Sequence, residues 1–71
     1  MRIHDRGDYA YDLEQMIDPA TQLRKGWAYH VFQLRPAEQV LESGEAESRE
    51  EAEKAAKRVI SRLVQREKRA A

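Results

Sequence analysis

The sequence predicts a small α+β domain, a three-stranded antiparallel meander packed on one face by a single C-terminal amphipathic helix, in the order β-β-β-α. Three observations point there. Residues 48–64 carry apolar side chains at helical spacing behind a capping signal. Residues 8–18 alternate apolar and polar with a period of two. Two further extended stretches, bounded by Pro19, Gly26 and Pro36, lie between them.

The first strand reads from Asp8 to Asp18. Tyr9, Tyr11, Leu13 and Ile17 share one parity, and Asp8, Asp12, Glu14 and Asp18 take the other. That alternation is what a strand with one buried face requires. Gln15 and Met16 break it locally. Asp18-Pro19 ends the strand, because proline cannot donate to a ladder and Asp-Pro favours a turn. Polar residues 20–25 form the connection.

The second strand spans residues 27–35. Trp27, Tyr29 and Val31 fall on one parity, while Phe32 and Leu34 fall on the other with Ala28 and His30. Such a strand is apolar on both faces. Pro36 closes it, and residues 39–46 make the third strand, with Gly44 inside it as a mark of a bulge or a close backbone approach. Short connections favour the meander.

The helix is placed at about residues 49–67. Ser48 is followed three residues later by Glu51, a capping box. Ala52, Ala55, Ala56, Val59, Ile60, Leu63 and Val64 then recur at i, i+3, i+4 and i+7, a single apolar stripe. Glu50–Lys54 and Glu53–Lys57 are acid-first pairs worth about 0.2–0.5 kcal/mol each. The sheet is the only large apolar surface on which the stripe can pack.

Length bounds the rest. Seventy-one residues make a single domain over 1–71, with residues 1–7 and 68–71 expected to be disordered. The chain has no cysteine, which excludes disulfides and thiolate metal sites. It holds no run of about 18 apolar residues, so no helix is expected to cross a membrane. Residues 1–7 do not read as a signal peptide, and a cytoplasmic location is expected. Thirteen basic and thirteen acidic residues cancel, but unevenly, since the bases concentrate after residue 53 and the acids before it.

Little in the chain points to chemistry. His4 and His30 are the only histidines; a metal site needs three or four convergent ligands, so neither a metal nor a cofactor is expected. Ser48 reads as a cap and Ser61 as a solvated helix position. Asp8, Asp12 and Glu14 lie on the polar parity of their strand, whereas raised catalytic pKa values come from burial. A chain this short rarely encloses a pocket of a few hundred Å³. A non-enzymatic interaction or structural role is therefore expected.

One helix covers one face of a sheet, so part of the two-sided strand needs another cover. Trp27, Tyr29, Val31, Phe32 and Leu34 are the candidate partner surface, facing a second copy of the chain in a homodimer or another protein. The alternative is nucleic-acid binding through the basic C-terminal helix or the sheet, the helix offering Lys54, Lys57, Arg58, Lys68 and Arg69 on its outward face and Arg62 on one flank.

The stretch "WAYHVFQL…VLESGEAESREEAEKAA" resembles a pattern in small uncharacterised bacterial and phage proteins. These carry a Trp/Tyr-bearing strand, a strand ending in glycine, and Ser/Thr-x-x-Glu-Ala opening an alanine-rich helix. The β-β-β-α order is similar to that of the arm-type DNA-binding domain of phage integrases and of AP2-like domains. The likeness covers residues 26–60 and rests on a capping box and an apolar pattern. It implies a sheet that enters the major groove and reads DNA with basic and polar strand residues. Here the strand regions offer Asp8, Asp12, Glu14, Asp18, Glu42 and Glu45, with Arg24, Lys25 and Arg35 as their only bases. No DNA-reading residue carries over.

Overall fold

The computed structural model describes residues 2–70, and everything structural below refers to them. The order is β1 (Ile3–Arg6), β2 (Tyr9–Ile17), β3 (Arg24–Gln33), β4 (Gln39–Ala46) and α1 (Arg49–Ala70). The strands form one antiparallel sheet in chain order, and α1 lies across one face of it.

The sheet has four strands where the sequence predicts three. The added strand is β1, in a segment expected to be frayed. Ile3-His4-Asp5-Arg6 has one apolar residue, too few to register as a strand by alternation. Its pairing comes from a two-residue turn, Gly7-Asp8, between the paired Arg6 and Tyr9. Gly7 adopts φ 58°, which glycine reaches without steric cost. Gly-Asp between two extended runs is a hairpin signal. The helix also runs three residues past its expected end at 67, to Ala70; Met1 and Ala71 lie outside the described residues.

Register decides which parity is buried. Tyr11 stands opposite Val31 and Leu13 opposite Tyr29, all on the helix side. Tyr9, Tyr11, Val31, Ala56, Val59 and Ile60 form the buried cluster, and Val31 and Ile60 are its largest fully enclosed side chains. Leu41 joins it through a bulge. Val31 pairs with Glu42 and Phe32 with Val40, so Leu41 is an extra residue turned toward the core. Ala52 and Ala56 are fully buried where the helix crosses the sheet, and their small side chains permit close approach.

Ser48 caps the helix as the sequence predicts, through the side-chain half of the capping box. The Glu51 N–H donates to Ser48 Oγ at 3.1 Å, and the Ala52 N–H to the Ser48 carbonyl at 3.0 Å.

Two tyrosines tie β2 to the helix. The Tyr11 hydroxyl donates to Glu53 Oε2 at 3.1 Å, and the Tyr9 hydroxyl to Glu67 Oε1 at 2.5 Å. Glu53 and Glu67 lie about 21 Å apart along the helix, at 1.5 Å per residue. The two bonds therefore flank the buried Ala56–Ile60 segment. Burial, then the bond to Glu53, raises the pKa of Tyr11. The pKa of Tyr9 is pushed from 10.0 up to about 12, first by the Glu67 hydrogen bond and then by burial. Its ring is buried while its hydroxyl ends beside exposed Glu67, which is why the hydrogen bond outweighs burial.

The reverse face of the sheet is mostly polar. Asp12, Glu14, His30, Ser43 and Glu45 lie on it by register. Its one large aromatic, Phe32, is nonetheless buried at 7% exposure. The Arg2 guanidinium sits 4.4 Å from the centre of its ring and ion-pairs with Glu38. A cation over an aromatic face is attracted to its quadrupole. The strand that reads as apolar on both faces thus has a different cover on each side, the helix over Val31 and an arginine over Phe32.

Tyr29 lies across Gly44, its direct cross-strand partner. A Cβ on Gly44 would fall inside the Tyr29 hydroxyl and ring.

Two outcomes are expected. Alanine normally strengthens a strand relative to glycine, but Gly44→Ala should lower the urea midpoint by overpacking, at a cost of about 1–3 kcal/mol. Adding Tyr29→Ala should make the Gly44→Ala step nearly neutral. A Gly44→Ala single variant as stable as the parent contradicts this packing. The second outcome concerns pH. The pKa of Tyr9 is higher folded than unfolded, so its contribution is fully present below pH 10 and lost as pH rises through about 12. Tyr9→Phe should cost about 0.5–1.5 kcal/mol at neutral pH and make the alkaline loss of stability shallower. Denaturation curves across that range check this; an unchanged alkaline slope contradicts it.

Candidate functional site at the β2–β3 hairpin end

The five expected partner-surface residues do not share one surface. Val31 is fully buried under the helix, and Tyr29 packs against the core over Gly44. Phe32 lies on the reverse face beneath Arg2. Leu34 follows β3, with its N–H donating to the Asp8 carbonyl at 2.7 Å. Trp27 remains. It is half-buried, opposite Gln15 and Ala46, and forms a wall of an open cleft.

The cleft has a volume of about 380 Å³. Arg24, Lys25 and Trp27 contribute to it from β3, Gln15 from β2, and Glu47 and Ser48 from the entry to the helix. Its shape depends on a bulge. Met16 pairs with Gly26 and Ile17 with Arg24, which leaves Lys25 as the extra residue. Gly26 adopts φ 135° beside it, and a Cβ there would meet the Ala46 carbonyl oxygen at 3.0 Å. Glycine is required at this position both by the backbone angle and by the close approach of β4.

The hairpin loop next to the cleft exposes two large apolar residues. Ile17 is 56% exposed and Leu23 67%. The loop that carries them is well tied. The Asp18 N–H donates to the Leu23 carbonyl at 2.9 Å, and the Gln22 N–H to the Asp18 carbonyl at 2.8 Å. Asp18 Oδ1 accepts from the Ala20 N–H at 2.8 Å, a local turn that Asp side chains favour. Loop, bulge and cleft together form one end of the molecule.

The basic helix set is partly neutralised by carboxylates of the chain itself. Lys54 lies 3.7 Å from Glu50, Lys57 3.8 Å from Glu53, and Arg62 3.2 Å from Glu42 on β4. Among the described residues, Arg58, Lys68 and Arg69 make no ion pair.

The two histidines are engaged separately. His4 Nε2 is hydrogen-bonded to the Gly7 carbonyl at 2.9 Å. His30 Nδ1 is hydrogen-bonded to Ser43 Oγ at 2.9 Å, and its Nε2 lies 3.7 Å from Glu14 Oε2. Serine, histidine and carboxylate are the ingredients of a nucleophilic triad. Here the carboxylate lies beyond hydrogen-bond distance of the ring, and the three stand on a flat sheet face. Ser43 is the direct cross-strand neighbour of His30, and Glu14, opposite Ala28, is its diagonal neighbour on β2, so the adjacency follows from strand register.

Sequence reasoning missed the cleft, Glu67 and Arg2. Glu67 had a legible signal, since it continues the Ile60 and Leu63 positions at i+7 and i+4, where an apolar residue belongs. The cleft had none, because residues 15, 24–27 and 47–48 meet only through strand register.

Comparison with protein families, with curated proteins and with solved structures finds no match to this chain.

Proposed function

We propose that this chain is a non-enzymatic binding module that engages a protein partner through the β2–β3 hairpin end and the Trp27 cleft. The observation that carries this reading is the exposure of Ile17 and Leu23 on a hydrogen-bonded loop beside that cleft. Exposed apolar residues next to an aromatic wall and an arginine match the composition of interface centres. A loop held by its own hydrogen bonds loses little further freedom on binding, which favours affinity.

Two observations support a non-enzymatic role. The only hydroxyl side chain lining the cleft, Ser48, already caps the helix. The Ser43–His30 pair lies on the open reverse face of the sheet, away from that cleft.

Photo-crosslinking tests the reading. With benzoylphenylalanine in place of Leu23, irradiation of cells that produce the chain should give a discrete adduct. The same substitution at Ser43, on the reverse face, should not. An adduct of twice the chain mass identifies the partner as a second copy. No adduct from position 23, or equal adducts from both positions, overturns the reading.

A further inference from the structure

We infer that the hairpin end takes an extended, acidic peptide segment with an apolar anchor, in line with the binding role proposed above. Three observations converge on this occupant.

The first is the pairing of cations. Arg2, Arg6, Arg35, Lys54, Lys57 and Arg62 each lie within ion-pair distance of a carboxylate. Arg24 and Lys25, like Arg49, Arg58, Arg66, Lys68 and Arg69 on the helix, make no ion pair among the described residues, but of these seven cations only Arg24 and Lys25 line the cleft. In water an unpaired surface cation costs nothing. Once a partner covers it, the desolvation has to be offset by an opposite charge. Arg24 and Lys25 line the cleft together with Trp27, so a partner that fills the cleft covers them, and carboxylates on that partner offset their desolvation.

The second is the strand register. β4 ends at Ala46, opposite Trp27, whereas β3 runs on to Arg24. Among the described residues no strand pairs with Arg24–Gly26 on the β4 side. An extended segment can add to such an overhang through main-chain hydrogen bonds, with its alternate side chains free to reach the Trp27 wall.

The third is Glu47, which lines the same cleft from the β4–α1 connection. The cleft thus carries cations on β3 and an anion on that connection. A polyanion such as single-stranded nucleic acid would bring phosphates to both. A peptide can place its carboxylates on the β3 side only.

Trp27 is the only tryptophan of the chain, so its emission reports on the cleft directly. The probe is a capped synthetic peptide of alternating leucine and glutamate, compared with its leucine–glutamine counterpart and with an oligothymidylate. The acidic peptide should shift Trp27 emission saturably. The Arg24→Gln/Lys25→Gln double variant should weaken that binding about tenfold, the equivalent of about 1.4 kcal/mol. Because both residues are exposed and unpaired, the double variant should melt within about 0.5 kcal/mol of the parent, so lost binding cannot be put down to lost folding. Equal binding of the glutamine peptide overturns the acidic inference, as does preferred binding of the oligothymidylate or no emission change with the acidic peptide. Crosslinking from position 23 that persists in the double variant also overturns it, while leaving the hairpin end as a partner surface. Loss of crosslinking from the parent chain overturns the functional reading instead.

Discussion

One helix can cover only one face of a sheet, and the rest of this structure follows from that constraint. The stripe on α1 buries Val31 against Ile60, with Ala52 and Ala56 letting the helix settle close to the strands. The tyrosines of β2 face the same side and end their rings on Glu53 and Glu67. Those bonds satisfy hydroxyls on largely buried side chains, which would otherwise lose their hydrogen bonds to water. The opposite face, with no second helix to cover it, is mostly polar; Phe32 lies beneath Arg2, and Val40, its cross-strand partner, is left 54% exposed.

The uneven charge of the chain acquires a structural meaning here. Acidic residues concentrate on the strands and the first helical turn, and basic residues along the rest of the helix. Glu50 and Glu51 in the first turn and Lys68 and Arg69 in the last complement the helix dipole. Arg62 meets Glu42 across the layers, and Lys54 and Lys57 meet acids of their own helix. Half of what reads as a basic face in the sequence, Lys54, Lys57 and Arg62, is thus balanced within the molecule. The cations left over on the sheet, Arg24 and Lys25, stand where apolar side chains are also left over. That coincidence sets the hairpin end apart from the rest of the surface.

Much of the fold was legible in the sequence. Alternation of Tyr9, Tyr11 and Leu13 marked β2, the 39–46 segment marked β4, and Ser48 with the following stripe marked the start and buried face of α1. β1 was not legible by alternation, because four residues with one apolar side chain carry too little pattern; its only trace was Gly7-Asp8. For β3 the sequence showed two apolar parities without saying which met the helix. Pairing of Val31 with Tyr11 decides that, and pairing is a long-range property. The candidate site was the least legible feature. Trp27 drew notice as an aromatic, but the neighbours that give it a cleft come from three separate segments.

The central claim is that the free recognition surface of this chain lies at the hairpin end and not on the reverse face of the sheet. Solvent paramagnetic relaxation, measured by NMR over the side chains at millimolar protein, addresses that claim most directly. Strong enhancement is expected at the Ile17 and Leu23 methyls, intermediate enhancement at the Trp27 indole, and weak enhancement at the Phe32 ring and the Val31 and Ile60 methyls. A strongly enhanced Phe32 ring together with protected Ile17 and Leu23 methyls would contradict it.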